Sequence, residues 1–169
     1  MAYRVAPAEH SGLDDASVDL VTVGQAAHWF ALKSFYEEVR RVAATGGAIA
    51  IWAYDLFDLE GEAGAVVRRF HARVEPYWPP ERALVARRYV DLLFPFEEIP
   101  VPPVPMTADW DLDRVLGYLS TWSAVKAFEK ATGEDLIEAL APELGAAWGD
   151  PAGQKTVTWP LVLRAGRIA

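Results

Sequence analysis

The sequence predicts an α/β fold organised on a parallel sheet, and three stretches carry that prediction. Val18 to Val23 is apolar at almost every position and rich in valine, the pattern of a strand covered by helices on both faces. Leu32, Phe35, Tyr36, Val39 and Val42 then recur at helical spacing and form the stripe of an amphipathic helix. Ala48 to Tyr54 is a second apolar run. Strand, crossover helix and strand at this length make a βαβ unit, whose crossover is expected to be right-handed.

Along the chain, Tyr3-Arg4-Val5 is too short to read from its pattern, and Gly12 to Ser17 is a turn segment. Asp19 opens the first strand, where an aspartate fixes local backbone. Gly24-Gln25-Ala26 follows that strand's carboxyl end. Open α/β sheets bind ligands outside the carboxyl ends of their strands, so Gln25, His28 and Trp29 are candidates to line a cofactor or substrate pocket. A histidine satisfied by backbone and a tryptophan of the core are the competing readings. Arg40 and Arg41 suit the last turn of the helix, and Gly46-Gly47 are expected to stop it.

Asp55 to Glu62 is polar and turn-like. Ala63, Val66, Val67, Phe70 and Val74 mark one face of the next helix, with Arg68, Arg69 and Arg73 on its solvated faces. Tyr77-Trp78-Pro79-Pro80 breaks it, and Pro80 suits the first turn of another helix running to about Tyr89. The prolines at 95, 100, 102, 103 and 105 limit residues 92–110 to an edge strand near Glu98 to Met106. Asp111 caps a long helix with Leu112, Val115, Leu116, Leu119, Trp122, Val125 and Phe128 on its stripe and Gly133 at its end. A shorter helix follows from about Glu134 to Trp148. KTVTWPLVLR, Lys155 to Arg164, reads as one strand in which Pro160 requires a bulge or an edge position.

At 169 residues the chain is expected to form a single domain, 1–169, with helical lid segments at about 60–92 and 111–148. Its net charge of −8 argues against a nucleic-acid partner, which would demand a basic patch. The absence of cysteine excludes disulfides and thiolate metal sites, and the three histidines lack metal-ligand spacing, so no metal is expected. No apolar run reaches membrane-spanning length, and a cytoplasmic location is the default expectation. No nucleophile elbow or phosphate-cradling loop is present. What the chain does offer is aromatic surface: Tyr54, Tyr77, Trp78, Trp110, Tyr118 and Trp122 are candidates for a substrate wall, against the reading that they are core. His28, whose reference pKa lies near neutrality, is the first choice for a general base, with Glu9 and Asp55 behind it.

DASVDLVTVGQAAHWF, FYEEVRRV, the double glycine and AIAIWAY resemble the second half of class I S-adenosylmethionine-dependent methyltransferases, in the branch containing trans-aconitate methyltransferase-like proteins. The likeness continues through YWPPERALV, PFEEI, LGYLSTWSAV and KATGEDL. It implies a partial Rossmann-like sheet with strands equivalent to 4-5-7-6 of the family order 3-2-1-4-5-7-6, with Tyr3-Arg4-Val5 a remnant of strand 3. It implies S-adenosyl-L-methionine as cofactor, Ala8 and Glu9 beside its adenine, and a small-molecule methyl acceptor. Relatives often carry an aspartate where Ala31 stands, so the helix after it is expected to lack its N-cap. The family's glycine-rich loop and the acidic residue of its second strand have no counterpart here, and Met1 falls where the family reaches its third strand. The chain therefore reads as a truncated one. Weak or no cofactor binding, an unpaired edge on Val18 to Val23 and self-association through that edge are expected. The competing reading is a non-catalytic, self-associating interaction module.

Overall fold

The computed structural model describes residues 2–168; Met1 lies outside them. In chain order the elements are β1 (Val18–Gly24), α1 (Leu32–Val42), β2 (Ala43–Tyr54), β3 (Asp58–Leu59), α2 (Gly61–Val74), α3 (Arg82–Ala86), β4 (Glu97–Ile99), β5 (Met106–Trp110), α4 (Leu112–Ser120), α5 (Ser123–Thr132), α6 (Leu136–Trp148), β6 (Lys155–Trp159) and β7 (Leu161–Arg167). The described residues group into two compact units: 2–55, 83–104 and 161–168, and 56–82 and 105–160.

The first unit holds the sheet β1-β2-β7-β4. β1 runs parallel to β2 around the α1 crossover, β7 is antiparallel to β2, and β4 is antiparallel to β7. This is the 4-5-7-6 arrangement expected from the resemblance. Phe35, Tyr36, Val39 and Val42 of α1 are buried, with Phe35, Tyr36 and Val39 packing with Val23, Ile49, Ile51 and Ala53 from the strands. Arg40 and Arg41 occupy the last turn of α1 as predicted.

Three local expectations are corrected here. Only Val23 of β1 is fully buried, and Leu20 is 54% exposed, so the strand is not covered on both faces. It is the edge of the sheet, and among the described residues β2 is its one ladder partner. Gly46-Gly47 do not stop α1, which ends at Val42 and passes directly into β2. The pairing shifts from Val18↔Ala43 to Leu20↔Ala48, and the glycines lie in the resulting bulge with Gly46 at φ 79°. Tyr3-Arg4-Val5 forms no strand and is exposed.

The second unit holds a small antiparallel sheet, β3-β6-β5, with α2, α4, α5 and α6. KTVTWPLVLR is therefore not one strand. Pro160, with no N–H to give a ladder, separates β6 of this sheet from β7 of the other. The proline-rich stretch likewise yields β4 and β5 in different sheets. On α2 the predicted face, Ala63, Val66, Val67, Phe70 and Val74, is buried. Its arginines are solvated as expected, with Arg69 paired to Glu143 and Arg73 to Glu134.

Pro80 precedes α3 rather than opening it, and α3 has only five residues before turns run through Tyr89. The long helix after Asp111 is two helices. Asp111 caps α4 by accepting the Arg114 N–H at 2.9 Å, as predicted. The Ser120 and Thr121 hydroxyls then donate back to the Gly117 and Tyr118 carbonyls, and Trp122 adopts extended backbone before α5 begins. Gly133 ends α5 in the left-handed conformation.

Candidate functional site

The turn after β1 is built from residues that continue the sheet by other means. Gly24 pairs with Trp52 in the last register of β1 and β2, and a Cβ on Gly24 would come within 2.8 Å of the Trp52 ring. Gln25 then leaves the strand at φ 54°, a strained value for a residue with a side chain. Its backbone N–H donates to Trp52 O at 2.9 Å. Its carboxamide takes over from there, donating to Tyr54 O at 2.9 Å and accepting the Tyr54 N–H at 3.0 Å. One side-chain amide thus stands in for the next peptide group of the ladder. The clamp anchors the single 3-10 turn Ala27–Trp29, which carries His28.

His28 Nδ1 lies 2.8 Å from the Tyr89 hydroxyl, a partner 61 residues away that no local pattern announces. Tyr89 is fully buried, and burial pushes its phenol up from its ordinary pKa while a hydrogen bond from the His28 backbone pulls it down. Trp29 is 56% exposed, and its ring sits 5.0 Å from that of His28. The competing reading of Trp29 as a plain core tryptophan therefore does not hold.

The segment before β1 folds against α1. Ala8 packs on the core, and Glu9 Oε1 accepts the Ala31 N–H at 2.8 Å. As expected from Ala31, the helix start has no side-chain cap; the Glu9 carboxylate instead satisfies the N–H of the N-cap residue itself. Glu38 on α1 is buried and accepts from the Ser11 N–H and hydroxyl at 2.8 and 2.6 Å. Arg41 adds bonds to both of its oxygens at 2.8 and 2.7 Å and reaches Asp15 as well. Those hydrogen bonds, led by Arg41, hold the Glu38 carboxyl down at about 2. Beside this network a groove of about 390 Å³ runs along β1, lined by Ala8, Leu20, Val21, Gly24, Ala26 and Phe30 among others. Sequence reading missed the network because its members are bound by tertiary contact, not by spacing.

In the second unit Phe57 lies at the centre of an aromatic cluster, with ring centroids of His71, Trp110, Tyr118, Trp122 and Trp159 5.8–6.5 Å away. Trp122 is 6% exposed and belongs to the core, as the competing reading held. Trp78 stacks near Trp122 at 5.6 Å, under the Arg82 guanidinium. Its Nε1 is buried with no hydrogen-bond partner among the described residues. Trp110 packs on Tyr118 and Trp159, whereas Tyr77 packs on Phe128 outside this cluster. Tyr54 belongs to the other unit, where its backbone serves the Gln25 clamp.

Comparison with known proteins places this geometry. A family model described as a methyltransferase domain matches residues 1–51, which contain β1, α1 and most of β2. A Dictyostelium discoideum protein that bears the name of a methyltransferase is 35% identical over 150 residues, 86% of this chain and 57% of its own length. The chain thus spans little more than half of that curated relative. A solved structure from Anaeromyxobacter dehalogenans, assigned as a type II methyltransferase, is 48% identical with a TM-score of 0.89. The match covers 99% of this chain and 72% of that one. The chain belongs to the class I S-adenosylmethionine-dependent methyltransferase family.

Proposed function

We propose that the protein takes part in methyl transfer from S-adenosylmethionine to a small-molecule acceptor. The observation that carries this reading is the clamped turn after β1. It holds His28 at the carboxyl end of a parallel strand, where α/β sheets bind their ligands, in a chain of methyltransferase family. Methyl transfer is an in-line displacement that asks the protein mainly to hold donor and acceptor at near-attack distance. His28 is the side chain proposed to meet the acceptor. Tyr54, partly exposed and in the same unit, is the other acceptor-side candidate there.

The residues present fit the donor only in part. The groove along β1 offers a flat apolar wall beside Ala8, suited to an adenine. Glu38, the carboxylate lining it, is already held by Arg41 and Ser11, Glu9 by Ala31, and the Gln25 carboxamide by Tyr54. Among the described residues no uncommitted carboxylate lines that groove to hold ribose hydroxyls, and the sequence has no glycine-rich turn. The proposal is therefore weak binding by these 169 residues, with their wall contributing the adenine side. Calorimetric titration with S-adenosylhomocysteine tests it. Binding weaker than micromolar is expected; micromolar binding would sink the argument from committed carboxylates, and none at millimolar ligand would sink the use of this cofactor.

The open edge of β1 and the apolar groove beside it also support association of two copies through that strand. Light scattering over a concentration series is expected to show a dimer, and a stable monomer throughout would remove this part of the proposal.

A further inference from the structure

We infer that Tyr89 is a positioning residue that fixes the tautomer of His28, leaving the neutral imidazole with its proton on Nε2. The argument starts from the phenolic hydrogen. Tyr89 is 0% exposed, and a buried hydroxyl proton needs an acceptor. The His28 backbone N–H can only donate to this oxygen, and among the described residues the acceptor at hydrogen-bond distance from it is His28 Nδ1, at 2.8 Å. The phenol therefore donates and Nδ1 accepts. A neutral imidazole that accepts at Nδ1 carries its hydrogen at Nε2. Burial also disfavours the phenolate, which keeps the donated proton in place.

The backbone that delivers Tyr89 bears the marks of a position held against local preference. Arg88 and Tyr89 follow one another at φ 54° and 53°, although neither is glycine. Arg88 N–H bonds to Val85 O and Tyr89 N–H to Leu84 O, the paired closure of a helix end at which glycine is the usual residue. Arg164 on β7 then holds the turn, donating to Leu92 O at 2.9 Å and approaching Tyr89 O at 3.4 Å, and is itself paired with Glu98. On the other side the Gln25 clamp fixes the turn bearing His28. Both partners of the 2.8 Å contact are thus anchored independently.

The consequence rests on the proposal that His28 meets the methyl acceptor. An imidazole locked with its hydrogen on Nε2 serves there as a hydrogen-bond donor and not as a base. Such a site suits an acceptor whose oxygen arrives already ionised, and it would orient that oxygen without removing a proton.

Nitrogen-15 NMR of the full chain, labelled at histidine, tests the inference without any appeal to activity. A His28→Asn variant assigns the His28 signals among the three histidines. In the neutral form the Nε2–H pattern is expected, and Tyr89→Phe is expected to shift it toward a mixture of tautomers. An Nδ1–H pattern in the unaltered chain would overturn the inference, as would an unchanged pattern in Tyr89→Phe. If Tyr89→Phe fails to fold, the tautomer of the unaltered chain alone decides. Should methyl transfer never be found while the Nε2–H pattern holds, the functional proposal fails and the tautomer assignment stands.

Discussion

Removing the Gln25 carboxamide is expected to unfasten the end of the β1–β2 pair, and the structure gives the size of the effect. The Gln25→Ala variant deletes two bonds, at 2.9 Å to the C=O and at 3.0 Å from the N–H of Tyr54. At about 1 kcal/mol net for each, the loss comes to about 2 kcal/mol. The positive φ at this position is retained by alanine, so no relief of strain offsets it. For a chain of this length that corresponds to a fall in Tm of roughly 4–8 °C. Gln25→Glu sharpens the test because it keeps the shape. At neutral pH its carboxylate still accepts from Tyr54 N–H, but the other oxygen faces Tyr54 O with no proton to share.

The introduced carboxyl's folded pKa is therefore raised above its unfolded value. The Gln25→Glu chain should match the unaltered one below about pH 4, near the carboxyl's unfolded pKa. It should fall behind as pH rises through the folded pKa, by about 2 kcal/mol at pH 7. Thermal unfolding of the three chains across pH, with hydrogen exchange at the Tyr54 amide, makes the measurement. Equal stability of Gln25→Ala and the unaltered chain, with Tyr54 exchange unchanged, would refute the clamp.

Three further outcomes follow from the packing. Glu38→Gln should cost about 1–2 kcal/mol at neutral pH, Arg41 being partly exposed. Because the Glu38 carboxyl is lowered to about 2, its contribution is complete above the unfolded value near 4.3 and is lost as pH falls toward 2. The variant should accordingly show a flatter acid limb in urea unfolding. Gly64→Ala would put a Cβ 1.6 Å from the Leu59 carbonyl oxygen, so a loss of about 3 kcal/mol or more is expected by the same assay. Arg88→Gly should raise stability by about 1 kcal/mol, since Arg88 is exposed and its φ of 54° favours glycine; a loss would show that the side chain has a role of its own.

The sequence was most legible where burial and periodicity coincide. The stripe of α1 and the face of α2 were both readable because each side chain's fate follows from the helix it sits on. Asp111 was readable because its cap bond spans three residues. Legibility failed where a distant segment decides. The valines of β1 read as fully covered, but cover requires a neighbour that their own pattern cannot specify, and the strand lies at an edge. Ala31 read correctly as a start without a side-chain cap, but nothing near it announces that Glu9, 22 residues upstream, accepts its N–H. The break between α4 and α5 was hidden because Trp122 keeps the helical stripe going while two hydroxyls close the turn before it. Within the site, Gln25 and His28 could be singled out by their place after a strand. Tyr89 could not, since only the folded chain brings it to His28.

Backbone and side-chain NMR during titration with S-adenosylhomocysteine tests the proposed site most directly. Shifts confined to Ala8, the Gln25 carboxamide, His28 and the Trp29 indole are predicted, even if the affinity is low. Saturable shifts that leave those four residues unmoved and cluster elsewhere would contradict the placing of a cofactor-facing site at the end of β1.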